Sequence, residues 1–382
     1  MTDAAEVLHH RAIDWWRDAV IYQIYPKSWA DNDGDGYGDC AGVRARLPYL
    51  AELGIDAIWF SPFYRSPDND GGYDVADYRD IDPRFGTVDD VVALVQEAHD
   101  LGIKVLIDIV PNHTSSEHRF FKAALQTAPG SPEWARYHAL PGTGLNGELP
   151  PNNWKSVFAG EAWSRILDKS GRPTGYWYLH LFDDTQPDVN WDNPDIAAEF
   201  DETLRFWLDR GIDGFRIDVA HGLIKAAGYP DDNGETVVTA ADGTITDKLP
   251  SPYWDQPAVH DVYRRWRAIA DTYSPARIFV GEIWVGTPAR LAAYLRDRGR
   301  TPGRIVAPGA RHDRVEDPGR DADVADPQDA AARQPFGRIV AELGAEKGDG
   351  QRGRKRDAHH FPGRTHLGTE RGVDLGETIE RQ

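Results

Sequence analysis

Four short strings hold the residues that could do chemistry. In GFRIDV (214–219), Arg216 and Asp218 lie two residues apart, so on a strand both side chains leave the same face. GEIW (281–284) sets Glu282 at the end of another apolar run, and DIVPNH (108–113) sets Asn112 and His113 after a third. Two carboxyls flanking one cleft are the minimum for cleaving a glycosidic bond. One attacks or stabilises the sugar cation while the other protonates the leaving oxygen. The plainer reading is an Arg–Asp pair that fills a sheet interior and a glutamate that caps a loop. It weakens once Asp218, Glu282 and His113 are brought to one mouth. The fourth string, DNDGDGYGD (31–39), alternates Asp31, Asp33 and Asp35, then offers Gly36 for a turn, the Tyr37 carbonyl and Asp39. That spacing matches the first nine positions of a calcium loop. Gly42 replaces the usual twelfth-position glutamate and a strand precedes the loop, so it is a hard-cation site of another kind, structural and without an open position.

The elements that must position these residues alternate. Strand-length apolar runs at 19–26, 55–62, 103–113, 214–219 and 277–284 are interleaved with helical stretches at 43–54, 87–102, 196–211, 261–273 and 288–298. Strand then helix, repeated, predicts a parallel sheet. No GxGxxG or P-loop follows any strand, so no organic cofactor is expected. Polar residues gather at the carboxyl ends of the strands, as in an α/β (β/α)8 TIM-type barrel. About five of eight strands are recognisable, which makes the barrel incomplete. Residues 14–113 form its first part and 191–298 its continuation, with a small inserted domain at 114–190 after strand three. The tail, 299–382, is rich in Arg, Gly, Ala, Asp and Pro and reads as poorly ordered. All 13 Trp lie at or before Trp284 and all 15 Tyr at or before Tyr294. These rings supply flat faces for sugars, although most of them read as core.

Composition narrows the partners. Lys plus Arg total 43 against 62 Asp plus Glu, a net charge of −19, which argues against nucleic acid and against an anionic membrane surface. No apolar run approaches a membrane span of about 20 residues. Cys40 is the only cysteine, so no intrachain disulfide is available. The first residues lack a basic segment followed by an apolar one, so a cytoplasmic location is expected. Oligomeric state is not readable.

The strings WWRDAVIYQIYPKSW, DNDGDGYGD, GIDAIWFSPFYRSP, GGYDVADY, DIVPNHTS, QPDVNW, GFRID and GEIW occur in this order over about residues 14–298. In them the chain resembles the α-amylase family of glycoside hydrolases, most closely its oligo-1,6-glucosidase and α-glucosidase branch. The resemblance implies a retaining, exo-acting enzyme on short α-glucosides, with Asp218 as nucleophile and Glu282 as general acid and then base. Arg216 would hold Asp218 ionised. His113 would hydrogen-bond the sugar, while Asp70 and Tyr73 would close the subsite against the non-reducing end, Tyr73 as a stacking platform. Asp31, Asp33, Asp35, Tyr37 and Asp39 match the branch's Ca2+ or Mg2+ loop. Val219, after the nucleophile, is similar to enzymes acting on α-1,6 linkages, where Thr or Ala accompanies α-1,4 preference.

One part of the family pattern has no counterpart. The third carboxylate, in an Asn-His-Asp string at the end of strand seven, is missing downstream of Glu282, and His312–Asp313 in ARHDRVED has no apolar strand before it. Strands six to eight are not recognisable either, which predicts a frameshift near residues 297–300 and leaves strands one and five as sheet edges. Three functions therefore stay open: the glucosidase, a non-catalytic fragment or sugar-binding relative, and a glucosyltransferase or sucrose or trehalose isomerase using the same residues.

Overall fold

The alternation folds as a parallel sheet flanked by helices. The computed structural model describes residues 15–234, 236–239, 245–295 and 305–306. The elements run β1 (Ile21–Ile24), α1 (Pro26–Trp29), α2 (Cys40–Leu53), β2 (Ala57–Phe60), β3 (Tyr64–Arg65), β4 (Asp77–Ile81), α3 (Val88–Asp100), β5 (Lys104–Ile109) and α4 (Arg119–Ala124). They continue with β6 (Ala139–Pro141), β7 (Trp163–Leu167), β8 (Pro173–Leu179), α5 (Pro194–Leu208), β9 (Gly214–Ile217), β10 (Thr236–Thr239), β11 (Ile245–Leu249), α6 (Val259–Ala270), β12 (Ile278–Gly281), α7 (Pro288–Leu295) and β13 (Ile305–Val306).

The main sheet has the order β1-β2-β5-β9-β12-β13, and every neighbouring pair is parallel. Consecutive parallel strands joined by helices are the build of a (β/α)8 barrel. Its strands are apolar on both faces, as burial on both sides demands: in β5 every residue after Lys104 is buried. The sequence made 277–284 the last strand and an edge. Instead β13, inside the stretch read as tail, pairs Ile305 with Phe279 and Val306 with Val280. Two apolar residues between Arg304 and Ala307 are too short a run to signal a strand. Residues 296–304 and 307–382 lie otherwise outside the described residues, and with them the His312–Asp313 pair and the frameshift expectation.

Local chemistry sets the element ends. Asp39 caps α2 through the Gly42 N–H, and Gly54 closes the helix at a left-handed φ of 81°. Thr87 and Asp90 form a reciprocal capping box on α3. Within 114–190, β6, β8 and β7 make a small antiparallel sheet over an aromatic cluster of Trp154, Trp163 and Trp177. The hairpin β10–β11 was not foreseen, although Asp242-Gly243 between two β-branched strings is a hairpin signal.

At the amino ends of the strands one buried carboxylate ties three of them together. Asp213, just before β9, accepts Lys104 Nζ at 3.1 Å and the Val105 N–H at 2.9 Å from β5. It also accepts Arg277 Nη1 at 3.1 Å from the residue before β12, and meets His99 Nε2 of α3 at 2.6 Å. Burial alone would raise its pKa, but these partners hold it below the ordinary value. Asp213→Ala leaves the buried Arg277 guanidinium without its carboxylate and should cost about 3–5 kcal/mol. A lower midpoint in urea unfolding checks this.

Candidate active site

At the opposite ends of the same strands the sheet presents acids around one arginine. Asp108 of β5 and Arg216 of β9 are register partners, so their side chains stand abreast. Asp218 is two residues on, at the same face, with its N–H still bonded to the Ile109 carbonyl at 2.9 Å. Glu282 follows the last residue of β12 and donates its N–H to the Ile217 carbonyl at 2.9 Å. The sheet ladder thus delivers three carboxyls to one place.

Arg216 reaches all three. Its Nη1 donates to Asp108 Oδ1 at 3.0 Å and Oδ2 at 3.1 Å, and to Asp218 Oδ1 at 2.6 Å; its Nη2 lies 2.8 Å from Glu282 Oε2. The guanidinium lies over the Trp59 ring at 5.1 Å and the Tyr73 ring at 5.8 Å. Trp59 Nε1 donates to Asp108 Oδ2 at 3.2 Å, and the Tyr73 hydroxyl meets the same oxygen at 3.4 Å. Asp108 is wholly buried and Asp218 is 7% exposed, while the Glu282 side chain is 32% exposed and faces the opening.

One cation cannot neutralise three acids. Burial, reinforced by Glu282, pushes Asp108 up to about 6 against the pull of Arg216. Asp218 lies well above the ordinary carboxylate range, because burial, Asp108 and Glu282 together outweigh Arg216. Arg216 is shared, so its pull on Asp218 toward the ionised form works against burial and two neighbouring acids. Glu282 goes the other way. Burial is overcome by Arg216, the Val219 N–H at 3.2 Å, Trp284 Nε1 at 3.3 Å and a hydrogen bond with the Asp218 carboxyl. Asp218 and Glu282, both bonded to Arg216, are therefore pushed in opposite directions, Asp218 up and Glu282 down.

A polar wall adjoins the pair. Buried Gln186 donates Nε2 to Asp70 Oδ2 at 2.9 Å and lies 3.1 Å from His113 Nε2, linking the two residues expected to grip a sugar. Burial, then the charges of Asp74 and Asp183, raise Asp70 despite the Gln186 bond. Behind His113, Asn112 donates to Asp188 Oδ2 at 3.0 Å and accepts Lys225 Nζ at 3.0 Å. Lys225 completes a buried ion pair with Asp188 at 2.7 Å. Val219, expected to select the linkage, is buried with φ 44°, left-handed for a β-branched residue.

The acidic loop lies away from this mouth. Carboxylate oxygens of Asp31, Asp33 and Asp39 all come within 4.8 Å of one another, an all-oxygen set suited to a hard cation. Asp35 is not in that group; its carboxylate accepts the Tyr37 N–H at 2.8 Å. Tyr37 turns its ring toward Lys27 and Arg84.

Residues 23–301 match the family described as α-amylase, catalytic domain. The chain belongs to the α-amylase family. An oligo-1,6-glucosidase of Parageobacillus thermoglucosidasius is 44% identical over 247 residues, covering 65% of this chain and 41% of that protein. Among solved structures, the trehalose-6-phosphate hydrolase of Bacillus licheniformis superposes with a TM-score of 0.62 at 39% identity, over 72% of this chain and 46% of that one. The α-glucosyl transfer enzyme XgtA gives 0.67 at 38% identity, over 77% and 54%. The chain spans less than half the length of the curated relatives it matches. Among the described residues, no helix is long and apolar enough to cross a membrane.

Within this α-amylase-family site, sequence reasoning missed three contributors. Asp108 was visible only as the one acid in an otherwise apolar strand, a pattern that should have marked it as paired. Gln186 stood in QPDVNW without an assigned contact, and Lys225 had no local signal because its partners, Asp188 and, 113 residues away, Asn112, belong to other segments.

Buried neutral histidines give the site region a pH signature. His113 and His221 are pushed down to about 4, and His118 and His138 to about 3, in each case mainly by burial. Their folded values lie below the unfolded value of about 6.5, so their contribution is present above pH 6.5 and lost as pH falls toward 4. Each costs about 1.4 kcal/mol per pH unit over that window. Asp70, Asp108 and Asp218, raised, act in the opposite direction, whereas Asp213 and Glu282, lowered, act with the four histidines. Calorimetric melts should therefore show Tm falling steadily from pH 7 to pH 4.5.

Proposed function

We propose that this chain carries the glucose-cleaving site of a retaining, exo-acting α-glucosidase acting on short α-glucosides. The observation that carries the reading is the convergence of Asp218 and Glu282 on one guanidinium, Arg216, at the ends of neighbouring strands. In the reaction, an Asp218 carboxylate oxygen attacks the anomeric carbon while Glu282 protonates the departing oxygen. Glu282 then takes a proton from water as that water displaces Asp218. The first step needs Asp218 ionised and Glu282 protonated, and the positive charge developing on the sugar favours an ionised Asp218. Glu282, the most exposed of the three acids, is the one placed to meet a leaving group.

The polar wall of Asp70, Gln186 and His113 fits the hydroxyls of a terminal glucose, with Tyr73 against its ring face. His113 is neutral, so it binds by hydrogen bonding without adding charge. Val219 favours α-1,6-linked isomalto-oligosaccharides. The family's third acid has no counterpart among residues 283–382, so turnover is the decisive measurement. Release of glucose from isomaltose, maltose and p-nitrophenyl α-glucoside tests the reading. Glu282→Gln should lower kcat by about 10²–10⁴-fold, and Asp218→Asn should abolish turnover. Binding of glucose without turnover in the parent chain would instead support a sugar-binding relative. The structural likeness to a glucosyl transfer enzyme favours one variation: the same intermediate meets a sugar in place of water, seen as longer oligosaccharides at high substrate.

We also propose that Asp31, Asp33 and Asp39 hold Ca2+ or Mg2+ in a structural role. A cation there would neutralise converging carboxylates and fix Asp39, whose Oδ1 accepts the Gly42 N–H at 2.6 Å to start α2. Calcium at 100 times its Kd should add about 2.7 kcal/mol of stability, read as a rise in Tm that EDTA reverses and Asp31→Ala abolishes.

A further inference from the structure

The chain makes an unusual turn where it leaves the sheet beside the acids. The Asp218 N–H bonds toward β5, at the Ile109 carbonyl. One residue later, φ at Val219 is 44°, and its N–H instead points the other way, at Glu282 Oε2, 3.2 Å off. The Ala220 N–H then donates to the Glu282 main-chain carbonyl at 2.9 Å, and Glu282 returns its own N–H to Ile217 at 2.9 Å. The four-residue stretch 217–220 therefore grips Glu282 at main chain and side chain together.

A β-branched residue in the left-handed region is strained, by about 1–3 kcal/mol, and persists only where its surroundings over-determine it. They do so here. The Val219 carbonyl accepts the Gly222 N–H at 2.8 Å. A Cβ on Gly222 would lie 2.8 Å from Val219 Cγ1 and 2.7 Å from the Trp254 ring, so that position admits only glycine. The Tyr263 hydroxyl donates to the Ala220 carbonyl. The His221 carbonyl accepts the Asp255 N–H at 2.7 Å, and Asp255 is fixed in turn by Arg290 at 2.8 Å and Tyr294 at 2.6 Å. Three hydrogen bonds hold a conformation the residue itself disfavours.

We propose that the left-handed turn at Val219 is a positioning element, which aims a main-chain N–H at the Glu282 carboxylate and fixes that group against Asp218. The inference rests on the retaining reading for its catalytic meaning, and on geometry alone for the contact. An N–H donor favours the ionised form of its acceptor, so the turn stabilises Glu282 as the base of the second step. The groups that share Glu282's surroundings are Arg216 and Asp218 from β9, Asp108 from β5, Tyr73 from the segment before β4, His221 from the turn, and Trp284 from its own loop. Only the Val219 donor is a main-chain group that no side-chain substitution removes.

Two measurements test it. With ¹⁵N-valine labelling, the Val219 amide resonance, assigned by its loss in Val219→Ile, should shift with pH in the parent chain and lose that titration in Glu282→Gln. A flat resonance in the parent, or an unchanged titration in Glu282→Gln, overturns the proposal. Replacing the amide at 219 by an ester, which deletes the N–H and keeps the side chain, should move the alkaline limb of the kcat/KM profile upward by about one pH unit. An unmoved limb overturns it as well. Absence of turnover in the parent chain would count against the glucosidase reading, while the resonance titration would still decide the turn.

Discussion

One guanidinium divided among three buried or half-buried acids is the constraint on which the site depends. Arg216 satisfies hydrogen-bond demand for Asp108, Asp218 and Glu282, but it supplies a single positive charge. Burial therefore raises the two deeper acids, Asp108 and Asp218, while Arg216 and its neighbouring donors hold Glu282 down. The proposed division of labour between Asp218 and Glu282 would draw on this shortage of positive charge. Trp59 and Tyr73 keep the arginine flat and exclude water from its faces.

The two ends of the sheet handle charge differently. At the amino ends, Asp213 is a single acid bonded to Lys104, Arg277 and His99 and held below the ordinary carboxylate range. At the carboxyl ends, acids outnumber the arginine, and protonation becomes adjustable. The same strands β5, β9 and β12 run between both clusters, so a rigid, charge-balanced base supports an end where balance is withheld. Stability resides in the first arrangement and reactivity in the second.

Much of this was legible from spacing. Strand–helix alternation gave the parallel sheet, the two-residue offset put Arg216 and Asp218 on one face, and terminal placement put Glu282 beside them. The caps at Thr87, Asp39 and Gly54 are local chemistry, and the sequence carries them directly, although Asp39 was read there as a metal ligand. What escaped depends on contacts between distant segments. Gln186 acquires meaning only when Asp70 and His113 meet it, and β13 exists as a strand only because β12 offers an open edge. The left-handed φ of Val219 has no signature either, since valine is the residue one would least expect there. The sharing of Arg216 escaped for a related reason: pairing two residues apart is visible, whereas convergence from three strands is not.

The buried ammonium of Lys225 carries a further consequence. It sits in the loop after β9, yet its partners are Asp188, beyond the small antiparallel sheet of β6, β7 and β8, and Asn112, just after β5. An exchange of the segment carrying Asp188 between related scaffolds would transplant one half of a desolvated ion pair and strand the other. Such a swap demands that lysine and aspartate travel together.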